Sequence, residues 1–368
     1  MFRKNPIKRG IRLVYNLRNN IINTFEKGYP LNTDKKERFL LIDLLQSRII
    51  NKMVIHERIG YYKTKLKSRK SYILIAQARL VIVFSYLFKI TKDPQYKKYS
   101  ELISNYIISK KNKNGIYSFH KPFWFSQDEG IATYLSILAL LLVYSITNDE
   151  IYLKNAMISG DISRKILYNN KWGYVHTLNQ DFWCPNSSGL AAQCYSLLYI
   201  FTQKSKYKEW MDDGLYYLIK GLKDNDIFAY SEKHPGIYIT SYHALNTYFL
   251  TYFNEKKDVL NLDNTVEIYL KKAIKGLKKL IRNDGSIVEP ELDYYAYINS
   301  VAASNAIFRL NYLKKEEEKT LRYLSFFFNK NDIGLYIKNN KLYNGPYKYF
   351  KDVLETEILF WLIIGKGL

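Results

Sequence analysis

Apolar residues in this chain follow two alternating arrangements. The stretch Phe123 to Thr147, FWFSQDEGIATYLSILALLLVYSIT, shows the first: aromatic and acidic residues, then a helix with almost no polar face. A helix that is apolar all round has to be covered on every side by other helices. Comparable segments start near Tyr72, Ser188, Thr240, Tyr294 and Lys351. Between them lie one-sided amphipathic segments, starting near Asp34, Asp93, Asp149, Ser205, Asp263 and Glu316. The first of these spans Lys35 to Val54. In the fifth, Val266, Tyr269, Leu270, Ala273, Leu277 and Leu280 recur at helical spacing, and Asn264 with Glu267 reads as a capping box.

The starts recur about every 55 residues, the signature of a repeat architecture. A second marker keeps the same beat. Asn114-Gly115-Ile116-Tyr117, Trp172-Gly173-Tyr174-Val175, Asp226-Ile227-Phe228-Ala229, Asp284-Gly285-Ser286-Ile287 and Ile333-Gly334-Leu335-Tyr336 each join a turn to a short β-prone stretch. Six buried and six half-buried helices in strict alternation predict an all-α fold. It is a single closed α/α toroid, a six-hairpin barrel of about twelve helices, with short β-hairpins in its long loops. An open solenoid would need polar capping repeats at its ends, whereas the last segment, with Trp361, is as apolar as the middle ones. The toroid is expected over residues 34–368, preceded by a basic arm, 1–33.

Connections from buried to half-buried helix are tight, as at Thr91-Lys92-Asp93 and Thr147-Asn148-Asp149. The return connections are near 20 residues, a length that usually carries function. They gather at one rim, and a concave site is expected there.

Charge adds a hint about partners. The chain has 56 Lys and Arg against 34 Asp and Glu, a formal charge of +22. Such a surplus favours a polyanion: nucleic acid, an anionic membrane face, or an acidic polysaccharide or oligosaccharide. Nucleic acid is the weaker reading, because the lysines are scattered and form no arginine-rich tract. Lysines spread over a solvated surface are the bland account of the same surplus. The arm has the composition to touch an anionic membrane face, or to pack as an extra helix. No unbroken apolar core of a signal peptide is read in it, and the longest apolar run is short for a membrane span. With two cysteines, Cys184 and Cys194, a reduced, cytoplasmic setting is expected.

The rim loops carry the candidate chemistry. Glu129, Tyr242, His243, Glu291 and Tyr295 are candidate catalytic groups. Trp124, Asp128, His176, Asp181, Trp183, Tyr238, Tyr294 and Tyr347 are candidate substrate-binding groups, with His120, Asn186 and His234 on the same loops. Flat aromatic faces beside carboxylates and hydroxyls suit a sugar ring. Paired carboxylates could serve glycoside hydrolysis, and a histidine moves protons near neutral pH. Each residue also has a structural alternative: loop aromatics can plug the end of a toroid, acids favour helix N-termini, and His243 can be a hydrogen-bonded core histidine. No metal site or organic cofactor is expected, since P-loop, dinucleotide and nucleophile-elbow motifs are missing.

Trp124-Phe125-Ser126, then Gly130 and an apolar helix, then Thr147-Asn148-Asp149 and Tyr152-Leu153, resemble the C-terminal domain of D-glucuronyl carbon-5 epimerases. Glu129 stands where that family has Gln. The resemblance implies a uronate-containing polysaccharide such as heparosan. It also implies proton abstraction and return at the carbon beside the carboxylate, an isomerase reaction. A polysaccharide lyase or glycoside hydrolase on the same toroid is the nearest alternative, and a non-catalytic glycan-binding or scaffold protein comes from a different class.

Overall fold

The computed structural model describes residues 42–43, 45–66, 69–71, 74–117, 129–178, 182–288, 298–327 and 347–364. The helices are α1 (residues 42–43 and 45–50), α2 (Leu74–Thr91), α3 (Pro94–Ser109), α4 (Glu129–Thr147), α5 (Glu150–Ile166) and α6 (Pro185–Thr202). They continue as α7 (Ser205–Lys220), α8 (Thr240–Glu255), α9 (Thr265–Lys279), α10 (Ile298–Leu310), α11 (Lys314–Phe327) and α12 (Tyr347–Ile364). Among the described residues three antiparallel hairpins accompany them: β1 (Met53–His56) with β2 (Ile59–Tyr62), β3 (Thr64–Leu66) with β4 (Arg69–Ser71), and β5 (Tyr168–Asn169) with β6 (Gly173–Tyr174). The amphipathic pattern from Lys35 to Val54 overruns its helix, because the chain turns into β1 at Met53.

The even-numbered helices form a closed inner ring. α2 packs on α4, α4 on α6, α6 on α8, α8 on α10, α10 on α12, and α12 returns to α2. Each of α3, α5, α7, α9 and α11 lies outside its predecessor. Burial follows the sequence pattern. In α4 every residue from Ala132 to Val143 is buried, whereas α9 buries only Val266, Leu270, Ala273, Gly276 and Leu277. Each fully buried Leu or Ile stabilises by about 1.5–3 kcal/mol, so the ring is the core. α2 and α4 are long and apolar enough to cross a membrane, and neighbouring helices cover most of each.

The sixth hairpin joins segments far apart in sequence. Arg48 of α1 and Lys52 just beyond it meet Glu355 of α12 at 3.7 and 3.5 Å, and Arg79 of α2 meets Glu357 at 3.2 Å. Glu355 is 2% exposed.

The tight turns share one construction. In the first three, a threonine ending the inner helix bonds back to the carbonyl four residues earlier: Thr91 to Leu87, Thr147 to Val143 and Thr202 to Leu198. The same hydroxyl accepts the backbone N–H two residues on. A left-handed residue follows it, Lys92, Asn148 or Gln203, and Asn261 and Tyr312 take that conformation in the last two turns. Asp93 and Asp149 then cap the outer helices by accepting from Gln95 N–H (2.9 Å) and Ile151 N–H (3.0 Å). The capping box expected at Asn264 does not form. Asp263 accepts the Thr265 N–H at 2.8 Å, and Glu267 pairs with Lys257 and Lys271.

The turn markers also recur. The chain bends through a left-handed residue at Gly115, Gly173, Asp226 and Gly285. The short return strand is then held by a polar side chain of the next inner helix. Gln77 exchanges two hydrogen bonds with the Tyr62 backbone (2.8 and 2.7 Å), and Thr133 does so with Tyr117 (3.1 and 3.2 Å). His243 accepts the Phe228 N–H at 3.1 Å. These clasps span 15, 16 and 15 residues and stand at the starts of α2, α4 and α8. The marker at Ile333-Gly334 lies outside the described residues.

Candidate functional site

The inner helices begin at the end reached by the long connections, whose described parts are residues 110–117, 167–178, 182–184, 221–239 and 280–288. α4 enters the rim at Glu129, which is buried, with its carboxylate at the positive end of the helix. Gly130 follows, and its N–H donates to the His176 carbonyl at 2.8 Å. A Cβ on Gly130 would stand 2.1 Å from the Val175 carbonyl oxygen. Only glycine lets the start of α4 and the 173–178 segment lie this close, and that contact brings Glu129 beside His176.

His176 is half-buried, and its Nε2 lies 2.9 Å from Oδ1 of Asn186, itself buried in the first turn of α6. The same Oδ1 accepts the Ser187 N–H at 3.0 Å. Two donors on one amide oxygen assign the tautomer: Nε2 carries the hydrogen and donates, and the basic lone pair belongs to Nδ1. A histidine oriented through one nitrogen by a fixed acceptor is the arrangement general acid–base chemistry uses.

The next connection adds aromatic faces. Tyr230 stacks on Tyr242 in the first turn of α8, with ring centroids 5.4 Å apart and planes 13° from parallel, and His234 lies 6.5 Å from Tyr230. Tyr238 and Tyr242 are both half-buried. The Glu232 N–H donates to the Trp183 carbonyl (3.0 Å), tying this connection to the one that carries His176. Thr240 donates to the Val288 carbonyl at 2.7 Å, tying it to the following one.

Two sequence expectations are corrected. His243 is not an acid–base catalyst. It is fully buried, Nδ1 accepts from Phe228, and Nε2 donates to the Ala273 carbonyl of α9 at 3.0 Å. Burial pushes its pKa down to about 4, so it is a neutral clasp. Trp183 is not a stacking platform. It is 2% exposed, and its indole N–H donates to the Tyr217 carbonyl at 2.9 Å. It wedges the rim, while Lys220 and Lys223 hold their ammonium groups 5.8 and 5.6 Å from its ring centroid and Lys233 sits 5.6 Å from that of Phe182.

Trp124, Asp128, Asp181, Glu291, Tyr294 and Tyr295 lie outside the described residues. Tyr347 opens α12, with its side chain outside them. Sequence reasoning undervalued Asn186 and missed Tyr230. An Asn just inside a helix start behind Pro185 is the signal that could have found the first.

Below the rim the ring axis is closed by side chains. Tyr248 of α8 accepts from Gln193 of α6 at 3.2 Å and meets Trp361 of α12 edge-on at 5.7 Å. Lower still, Tyr252 shares a 2.8 Å hydrogen bond with Ser196. Tyr248 lies eight residues along α8 from Thr240, so the floor is about 12 Å beneath the rim. Burial raises the phenols of Tyr134, Tyr174, Tyr195, Tyr248 and Tyr252, so these tyrosines are protonated packing groups and not bases. Cys194 is a buried thiol donating to the Tyr134 carbonyl. Among the described residues no three His, Cys, Asp or Glu gather as a metal site.

No family model and no curated protein matches the sequence. Solved structures do match the fold. A sugar epimerase from a ruminal bacterium superposes with a TM-score of 0.67 at 11% identity, over 89% of this chain and 99% of that one. A family 76 glycoside hydrolase from a bovine Bacteroides thetaiotaomicron strain gives 0.65 at 13%, over 90% and 79%. The cellobiose 2-epimerase of Spirochaeta thermophila gives 0.58 at 13%, over 80% and 85%. The fold is therefore that of α/α toroid enzymes. The likeness is to the toroid in general and does not single out a glucuronyl epimerase.

Proposed function

We propose that this chain is a carbohydrate-active enzyme that moves a proton off and back onto a sugar carbon, as an epimerase or isomerase does. The observation that carries the reading is His176, held by Asn186 so that its basic nitrogen is fixed at the rim. Its neighbours support it: Glu129 beside it at a helix N-terminus, and the Tyr230–Tyr242 stack offering a flat face to a sugar ring. The toroids it resembles include proteins named as sugar epimerases.

The finer reading is an acidic, uronate-containing substrate, as in D-glucuronyl carbon-5 epimerases. Lys220, Lys223 and Lys233 around the Trp183 wedge supply positive charge at the rim. In this reading the bond from carbon 5 to hydrogen breaks and its proton goes to His176 Nδ1. The electron pair passes into the adjacent carboxylate as an enediolate, which the lysines stabilise. A proton returns to the opposite face from the Tyr242 hydroxyl, which is refilled from solvent. Glu291, Tyr294 and Tyr295 remain proposed members of the same rim, with Trp124, Asp128, Asp181, Tyr238 and Tyr347 proposed to contact substrate.

The test is incubation with heparosan in deuterated water, with free disaccharides run in parallel. Deuterium entering carbon 5 without chain cleavage is the expected result. His176→Ala should abolish exchange and Asn186→Ala reduce it about 10- to 100-fold, both folding normally. Exchange at carbon 2 of a free disaccharide instead would remove the uronate reading and keep the epimerase. No exchange on any sugar, or full exchange by His176→Ala, would end the proposal. Chain cleavage without exchange would favour the second reading, a glycoside hydrolase, the activity named for the family 76 toroid that the fold also resembles.

A further inference from the structure

Between the rim and the floor the inner faces of the ring enclose a cup, and one wall of it is charged. On α2, Gln77 clasps the Tyr62 strand, and Phe84 meets Tyr96 and Tyr99 of α3 at 6.1 and 5.3 Å, so these two mark the outer side. Arg79 lies about 160° around the helix from Gln77 and about 140° from Phe84, which places it on the inner side. On α12, Trp361 meets Tyr248 at the floor, and Glu357 stands one turn nearer the rim on the same side. Arg79 Nη1 and Glu357 Oε2 are 3.2 Å apart, with 18% and 19% of the side chains exposed. The pair is about 6 Å above Trp361, half-way up the cup.

Across the ring, α8 faces α2. Its Ser241 and Leu245 lie on the side of Tyr248 and are half-buried, so solvent reaches both walls above the closed floor. Closure of the ring has other sources, in the packing of α12 on α2 and in Glu355 with Arg48 and Lys52. Apolar side chains of similar size would join α2 to α12 as well as a largely desolvated ion pair does. What the pair adds is a fork of N–H donors beside a carboxylate acceptor. Among the described residues Glu357 is the single partner of Arg79, and it is met through one nitrogen.

We infer that Arg79 and Glu357 form a subsite for a neutral sugar ring, the guanidinium donating to, and the carboxylate accepting from, adjacent hydroxyls. A vicinal diol offers lone pairs and O–H donors side by side, which matches the pair, and hydrogen bonds to ionised groups are the strong ones. Leu245 supplies an apolar surface for the C–H face of the ring. The pair carries no net charge, and Glu357 repels an anion brought to Arg79, so an acidic unit belongs at the rim and not in the cup. Gln193, Tyr248 and Trp361 shut the floor, so a ring that enters cannot continue through. It is a free sugar or the last unit of a chain, and the unit that reacts is its neighbour. The inference rests on the proposed function only in taking the ligand to be carbohydrate.

The test is calorimetric titration of the full chain with cellobiose and with heparosan, as tetrasaccharide and as polymer. Binding is expected, with the polymer taking up one protein per chain. Arg79→Gln and Glu357→Gln should each weaken it about 10- to 100-fold. Arg79→Met with Glu357→Leu keeps the two helices joined by apolar contact, so it should unfold no more readily than the single variants and still lose the sugar. Cellobiose bound alone assigns the cup to free sugars, and the tetrasaccharide and polymer bound assign it to chain ends. Wild-type affinity in the apolar double variant, several proteins along each polymer chain, or no binding of any of the three sugars would overturn the inference. Binding that the variants lose, with no deuterium exchange on any sugar, would keep the subsite and end the proposed reaction. Exchange with undiminished binding in the variants would do the reverse.

Discussion

Two histidines, both flagged by sequence as candidates, show how one side chain acquires opposite roles. His176 has one nitrogen held by an amide and sits half-buried at a rim. His243 has both nitrogens given to backbone groups inside the core. The difference was visible only through spacing. His243 lies 15 residues beyond Phe228, as Gln77 lies 15 beyond Tyr62 and Thr133 lies 16 beyond Tyr117, so the repeat assigns that position a clasp. A residue-by-residue search for acids and bases does not see this register. The clasp predicts a pH dependence. The folded protein resists protonating His243 down to about pH 4, while the unfolded chain takes the proton near 6.5. Between these values the unfolded state binds more protons, so stability falls as pH drops through the window, by up to about 3 kcal/mol. Urea unfolding at pH 7 and pH 5 should show a smaller loss in His243→Thr than in wild type. At pH 7 that variant should be the less stable of the two, because the Ala273 carbonyl and the core around the ring lose their partner.

At the scale of elements, the alternation of inner and outer helices was legible because burial on all sides and burial on one side leave different periodicities. The tight turns were legible too, in Thr91-Lys92-Asp93 and Thr147-Asn148-Asp149. What failed was local competition. Asn264 looked like the cap of α9, but the Asp263 carboxylate reaches the Thr265 N–H and leaves Asn264 helical. The end of α1 failed likewise, since the β-prone run after Asn51 pairs with β2 and outcompetes continued helix. Trp183 was misassigned because an aromatic in a long loop reads the same whether it faces substrate or wedges under a neighbouring helix. The caps themselves are testable. Asp149→Ala removes the acceptor of the Ile151 N–H at an exposed helix start and should cost about 1 kcal/mol. Asp93→Ala should behave alike, and thermal unfolding with no change in either variant would deny the caps any energetic part.

For the whole molecule, the ring is shut by ion pairs as well as by packing. Glu355 is buried, and its charge is met by Arg48 and Lys52. Removing those two partners strands a carboxylate inside, a change that typically costs about 3–5 kcal/mol. Because both cations are partly exposed, the lower end is expected. Arg48→Ala with Lys52→Ala should therefore lower stability markedly, and adding Glu355→Gln should recover part of it. A triple variant no more stable than the double would show that the charge is not what matters. The pairing of Lys52 with Glu355 spans 303 residues, so it cannot form until the growing polypeptide has extended through α12. Until α12 has left the ribosome, the preceding hairpins form an arc with two uncovered apolar flanks, one on α2 and one on α10. The cell therefore has to shelter a half-finished protein whose stickiest surfaces stay bare until α12 has emerged to cover them.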